Sequence, residues 1–420
     1  MSSEQPVSNE MIKTAMPAAN KSIVRSETPE TYQGARFEYQ VYSDFSLCED
    51  VWRDFESTAI ATPFQSIDWL QTWWDAYQKA SNSDTTALNI VMVYKADEPV
   101  LVIPLAVEQS NGLRRLTWLC AHLCDYNAPV IAKSFINSID QKTTELIWSD
   151  IEKAIPGIDL LYLPKQPKKI ADQSNPFYIE QSLDTSLQYH LAGINGDWQT
   201  YYATRRKGKS RRQIKARVAF MRDKAGMTID EIMEPEKRAE IITQTINWKR
   251  EQVAGGGAID PFTAPETSVF FNNLAMNEKL GGVLRVYALA VEGRAIASAF
   301  GITEGNSLIL YQTSYIQSEY DKYSPGVLLL IHMMEKLADE GCQVFDFSIG
   351  DEPYKFVWAD QHENLSLTIK AYTTRGKLAL LNKQAVGGLK RWIKKSDRRF
   401  AAAKKLNRKL RQIMGPVMGK

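Results

Sequence analysis

Apolar and polar residues alternate through "RFEYQVYS" (36–43), which predicts a strand. Apolar positions then recur at helical spacing in "LCEDVWRDFESTA" (47–59) and "SIDWLQTWWDAYQK" (66–79). Two strands follow, "LNIVMVYKA" and "PVLVIPLAVEQ", turning at Asp97-Glu98, then a short strand "RRLTWL", a helix "TTELIWSDIEKAI" and a strand "IDLLYLP". A similar order returns from residue 227. "MTIDEIM" is a strand, "PEKRAEIITQTINWKREQ" (235–252) a helix, and "AGGGAIDPFT" a Gly-rich loop before the helix "PETSVFFNNLAMNEKL". Three strands, the helix "SPGVLLLIHMMEKLADEG", the strand "QVFDFSIG" and a last strand "LSLTIKAYTT" complete the series. Two related domains in tandem are expected, 35–192 and 193–375, of α/β (α+β) class with mixed, mostly antiparallel sheets. Residues 1–34 are expected to be a disordered tail, and 376–420 a basic amphipathic helical one.

A length of 420 residues agrees with two or three domains, and 44% hydrophobic content is enough for real cores. No stretch approaches the ~18 uninterrupted apolar residues of a membrane span, and the N-terminus has no apolar core of a secretory signal. Four cysteines in so long a chain indicate a reducing compartment and not a disulfide framework. A cytoplasmic protein is expected.

Charge changes the picture more. The net charge is only +2, but residues 203–224 carry 10 basic residues against one acid, and residues 376–420 carry 14 against one. The rest of the chain holds 27 basic and 47 acidic residues. Two basic elements on an acidic body imply two places that meet anions. In the second, apolar residues at 378, 381, 385, 389, 392, 400, 403, 406, 410 and 413 follow helical spacing. Such a helix can lie on an anionic inner-membrane surface, dock on a polysaccharide-synthesis assembly, or pack on its own domain.

Two stretches carry candidate chemistry. In "FDFSIGDEPYKFVWAD" (345–360), alternation puts Phe345, Phe347 and Ile349 on one strand face and Val344, Asp346 and Ser348 on the other. At a sheet edge Asp346 would be solvated; if buried, it needs partners, and such carboxylates gather at functional sites. In "YDKYSPGVLLL" (320–330), Ser324 is placed to cap a helix, Pro325 suits its first position, and Gly326 removes bulk where free amides emerge. An open helix N-terminus after a strand and short loop makes an anion site. Strand, Gly-containing loop, helix and strand in that order form the phosphate-gripping core of acetyltransferase-type folds. There the pyrophosphate of coenzyme A rests on the helix N-terminus and the pantetheine arm runs between two splayed strands. Here those strand ends are Tyr311–Tyr315 and Asp346–Gly350.

With "TPFQSIDWLQTWWDAY" (62–77) and "CDYNAPVI" (124–131) upstream, these motifs resemble the CelD/BcsL-type acyltransferases of bacterial exopolysaccharide and cellulose biosynthesis. Those belong to the GNAT superfamily and are distantly similar to the Fem-type peptidyltransferases, which have two GNAT-like domains. The resemblance runs from about residue 36 to 375. It implies two tandem GNAT-like domains and direct transfer from acetyl-CoA or another acyl-CoA, held by Ser324, Gly326, Val327 and Tyr311. It places Asp346, Tyr354 and Lys355 at the reaction centre. Asp346 would orient or deprotonate the acceptor, Tyr354 would protonate the departing thiolate, and Lys355 would neutralise a phosphate or the oxyanion. Asp125, Tyr126 and Trp358 are expected to contact the acceptor. Arg211, Arg212 and Lys215, on a helix linking the domains, suggest phosphates on that acceptor, as in a nucleotide-linked or lipid-linked sugar. Aromatic interleaving among the basic residues is limited to Phe220, which disfavours nucleic acid, though Fem-type relatives use aminoacyl-tRNA.

Other signals are weaker. "CAHLC" (120–124) lacks the ligand number and spacing of a zinc site, so no metal is expected. "GGG" at 255–257 lacks the Lys-Ser/Thr of a P-loop. His332 and the Trp69, Trp73 and Trp74 cluster are expected to be structural. Three functions remain: an acyl-CoA-dependent transferase, a charged-tRNA-dependent one, and a non-catalytic module.

Overall fold

Residues 100–107, "VLVIPLAV", are buried without a break in the strand Glu98–Ser110, because this strand is central and covered on both faces. Its hairpin partner, Thr86–Lys95, joins it through Ala96 and Asp97, both in left-handed backbone (φ 50° and 65°). The turn thus sits one residue earlier than expected, since a two-residue hairpin with strand-matching twist needs two successive left-handed positions. The computed structural model describes residues 21–25, 37–80, 85–179, 187–256, 260, 262–280, 282–394 and 396.

Two mixed sheets result. The first has nine strands, with the order Lys21–Arg25, Phe37–Tyr42, Thr86–Lys95, Glu98–Ser110, Leu113–Trp118, Leu160–Gln166, Ser366–Ala371, and Val130–Ala132 and Ala59–Ile60 to one side. The second has seven, ordered Met227–Glu231, Leu284–Val291, Arg294–Glu304, Ser307–Tyr315, Val344–Ile349, Gln188–Gly193 and Gln361–Asn364. Each sheet contains one parallel pair, Leu113–Trp118 with Leu160–Gln166 and Ser307–Tyr315 with Val344–Ile349; the other pairs are antiparallel. Each parallel pair is bridged by one long helix, Gln141–Ala154 in the first and Pro325–Asp339 in the second. Two units of similar topology thus stand in tandem, as the repeated order of elements suggested.

The units are interlocked. Gln188–Gly193 lies before the expected boundary yet pairs in the second sheet, and Ser366–Ala371 lies after it yet pairs in the first. Alternation announces a strand but does not name its partner. Two further corrections concern the N-terminal tail and the Gly-rich loop. Lys21–Arg25, expected to be disordered, pairs antiparallel with Phe37–Tyr42. The helix from Pro235 runs on to Gly256, through two of the three glycines expected as loop; Gly257 lies outside the described residues. Helices Ile67–Ala80 and Glu266–Met276 face each other, and one apolar core spans both units, joining Phe64, Trp69 and Tyr126 to Phe270, Phe271 and Ile309. Trp69 and Trp73 are buried, so packing is indeed their role. Among the described residues no helix is long and apolar enough to cross a membrane.

One irregularity shapes the site. Phe300 pairs with Gln312 but Gly301 pairs with Leu310, so Tyr311 is the extra residue of a β-bulge. The strands come so close here that a Cβ on Gly301 would stand 2.4 Å from the Ile309 carbonyl oxygen. Gly301→Ala should therefore destabilise the protein by about 1–3 kcal/mol, read as a lower denaturation midpoint. Gly282→Ala, whose added Cβ meets nothing within 4 Å, should change stability by less than about 0.5 kcal/mol.

Candidate active site

The parallel pair of the second sheet holds together for three residues only, Ser307–Ile309 against Val344–Asp346. The strands then part, two residues before the Tyr311 bulge. A cavity of about 480 Å³ fills the opening. Tyr311, Tyr315, Phe347 and Ile349 line it from the strands, Ser324, Gly326 and Val327 from the start of the helix Pro325–Asp339, and Tyr354 and Lys355 from the short helix Pro353–Trp358. Lys249 and Gln252 close it from the helix Pro235–Gly256, where Gln252 donates to the Tyr315 carbonyl at 2.8 Å.

The helix start is open, for a different reason than expected. An N-cap side chain bonds the first turn from extended backbone. Ser324 instead stands at φ 59°, ψ 60° and makes no capping bond, so its expected N-cap bond is absent. Pro325 follows at the first position, and a Cβ on Gly326 would come no nearer than 3.7 Å to the Tyr315 ring. An uncapped N-terminus with no side chain over it attracts an anion. The equivalent helix of the first unit, Gln141–Ala154, is closed: the Asp140 carboxylate accepts from the Thr143 amide at 2.8 Å and hydroxyl at 2.6 Å. A negative charge already occupies the place an anionic ligand would need.

Asp346 lies on the opposite face of its strand from the cavity-lining Phe347, turned towards the first unit, and is 6% exposed. It is not the solvated edge carboxylate. Tyr126 shares its phenolic proton between both oxygens, at 2.8 and 2.7 Å, and the Ser348 amide donates to Oδ1 at 2.6 Å. Burial pushes the Asp346 carboxyl up to about 7, against the opposing pull of Tyr126, the Ser348 amide and Lys355, while the Asp125 charge adds to the rise. Ser348 adopts left-handed backbone (φ 57°), and its hydroxyl donates to Asp125 Oδ2 at 2.6 Å. Burial raises the Asp125 carboxyl as well. The loop bearing Asp125 and Tyr126 is itself pinned. Gln65 donates to the Tyr126 carbonyl (2.9 Å), Lys165 to that of Cys124 (2.8 Å), and Tyr311 to that of Leu123 (2.8 Å).

Lys355 is buried, bonded to the Ile349 carbonyl and paired with Glu352 at 3.0 Å; Lys249 approaches the same Glu352 at 3.4 Å. Burial, then the Glu352 charge, raises the Tyr354 phenol and keeps it protonated. Trp358 does not meet the expectation of an acceptor contact. It is fully buried, stacked on Trp198 and Tyr202, with the Arg206 guanidinium 4.8 Å from its ring. Arg211, Arg212 and Lys215 lie on the helix Gly208–Ala225 and do not line the cavity. That helix nevertheless flanks the loop before Ser324, because Phe220 stacks on Tyr323 at 4.9 Å.

Ser348, Lys249, Gln252 and Glu352 gave no signal in the sequence. Nor did His190, whose Nε2 lies 2.8 Å from the Gly350 carbonyl and whose Nδ1 lies 2.7 Å from Nδ1 of His362. With Nε2–H donating to Gly350, His362 must supply the proton between the rings. Burial lowers the His190 pKa and keeps it neutral for this purpose. The pair fastens the turn that carries Glu352 and Lys355.

Residues 208–356 match the model of the acetyltransferase (GNAT) domain. The second unit thus carries a GNAT acetyltransferase domain. Among solved structures it is similar to the crystal structure of FemX, with 9% identity over 77% of this chain and 96% of that one and a TM-score of 0.50. At this identity the likeness is one of fold. A conserved protein of unknown function from Bacteroides thetaiotaomicron VPI-5482 (11% identity, 79% and 99% of the two chains, TM-score 0.41) also matches. So does a tandem GNAT protein from the clavulanic acid biosynthesis pathway (9%, 80% and 98%, 0.38). Both scores are too low to add to that. No curated protein matches the sequence.

Asp346 binds its proton more tightly folded than unfolded, so its contribution to stability is full below the ordinary carboxyl value of 3.8 and is lost as pH rises towards about 7. Relative to the parent, Asp346→Asn should therefore gain in thermal midpoint as pH is raised across that window. Tyr126→Phe should cost about 1–3 kcal/mol and extend the loss to higher pH, since it removes the donor that holds the Asp346 pKa down. Unfolding curves from pH 4 to 8 check both.

Proposed function

We propose that the chain transfers an acyl group from coenzyme A, preferably acetyl, to an amine or hydroxyl of a sugar-type acceptor. The observation that carries this reading is the parting of the two parallel strands over a cavity at an uncapped helix N-terminus. Pyrophosphate sits at Gly326 and the pantetheine arm crosses between Tyr311 and Phe347, bringing the thioester towards Ile349 and Tyr354. The acceptor enters from the side of the first unit, where Asp125 is less buried than Asp346.

In this reading, Asp125 takes the N–H or O–H proton as the nucleophile attacks the thioester carbonyl. Asp346, held between Tyr126 and Ser348, is a positioning residue, which moves the role first expected of it. Lys355 has two partners and three protons, leaving one for the developing oxyanion. When the C–S bond breaks, the thiolate takes the Tyr354 proton. Arg211, Arg212 and Lys215 serve phosphates beyond the cavity. Supply to exopolysaccharide or cellulose-like biosynthesis rests on the motif resemblance alone.

Calorimetry with acetyl-CoA should show micromolar binding to the parent and at least ~10-fold weaker binding to Gly326→Glu, whose carboxylate occupies the pyrophosphate position. No binding by the parent would overturn the acetyl-CoA reading, and binding of charged tRNA in its place would favour a Fem-type donor.

A further inference from the structure

The helix Thr374–Lys394 leaves the last strand of the first sheet and runs along that unit. Its first turn is fastened. Arg375 donates to the Gly112 carbonyl at 2.6 Å, and Gly376 lies so close to the Asp159 carbonyl that a Cβ would stand 2.0 Å from its oxygen. Two turns on, the Lys383 ammonium sits 3.6 Å from the centre of the Tyr162 ring. Gly376, Leu380 and Lys383 thus mark the side that meets the body.

The apolar stripe lies on the other side. Leu378 is 64% exposed and Leu381 60%, and Ala385, next in the helical series, is also exposed. A helix that packed on its own domain would turn this stripe inward. Instead the cationic Lys383 faces the body and Leu378 and Leu381 face outward, flanked by the exposed Arg375 and Lys377. The stretch 374–394 contains six basic residues and no acid. Cations to both sides of an outward apolar stripe suit a planar surface of anionic headgroups over acyl chains. We propose that this helix docks the protein on an anionic lipid surface, lying in the interface with Leu378 and Leu381 inserted. The inference stands independently of the donor chemistry.

The test is co-sedimentation of the full chain with vesicles of phosphatidylcholine alone or with about a third phosphatidylglycerol. The parent should partition onto the anionic vesicles, at least ~10-fold more weakly onto the neutral ones, and less as salt rises. Leu378→Ser/Leu381→Ser should lose most of that partition while binding acetyl-CoA as the parent does. Absence of partition, or partition unchanged in the double variant, would overturn the proposal. A dimer in light scattering that the double variant splits would overturn it too and give the stripe to a second copy. Vesicle binding that appears only after removal of residues 395–420 would give it to that segment.

Discussion

A carboxylate buried between two domains cannot be left without donors, and the geometry of this protein follows from how Asp346 obtains them. Tyr126 supplies one from the first unit and the Ser348 amide another from its own strand. To bring Tyr126 within reach, the loop 123–126 must be held against the ends of the second sheet, which Gln65, Lys165 and Tyr311 do together. To bring the amide back, Ser348 must enter left-handed backbone, which ends the strand and aims its hydroxyl at Asp125. The same bend lets the chain swing through Gly350 into the helix that carries Tyr354 and Lys355. Replacing the carboxylate by an apolar side chain would leave a well-packed interface but no reason for this turn.

The two units show how one arrangement can keep or lose a donor site through a few side chains. Both have a parallel pair and a bridging helix, and the second has a cavity between its parted strands as well. In the second, Gly326 and an uncapped Ser324 leave the helix start bare. In the first, Asp140 fills the equivalent place, and the indoles of Trp118 and Trp148, edge to face at 6.2 Å, pack in that unit's core. A unit relieved of holding a ligand can serve as a wall, and this one presents Asp125 and Tyr126 to its neighbour.

Much of this was legible from periodicity, because strands and helices with one buried face declare themselves locally. The strand containing Asp346, the helix at Pro325 and the tandem order were all visible in that way. The open cavity was legible from Ser-Pro-Gly, although the capping bond expected of Ser324 does not form. What stayed hidden depends on partners distant in sequence. Tyr126 and Asp346 are separated by 220 positions; His190 and His362 by 172. Trp358 looked like a site residue because it follows the reactive stretch by only a few positions, yet its helix turns the ring into the core. The outward face of the C-terminal helix was likewise undecidable from an amphipathic pattern, which fixes a stripe but not its direction.

The exchange of edge strands has a consequence for biosynthesis. The first sheet needs Ser366–Ala371 as its last strand, and those residues are translated after every strand of the second sheet. The second sheet likewise draws its penultimate strand, Gln188–Gly193, from before its own unit. The first half therefore cannot finish ahead of the second, whose last strand ends at Asn364. A prematurely terminated chain would contain almost all of the first unit and still expose a bare sheet edge at Leu160–Gln166, the kind of surface that recruits foreign strands. Quality control would then read the arrival of Ser366–Ala371 through the solubility of the N-terminal half.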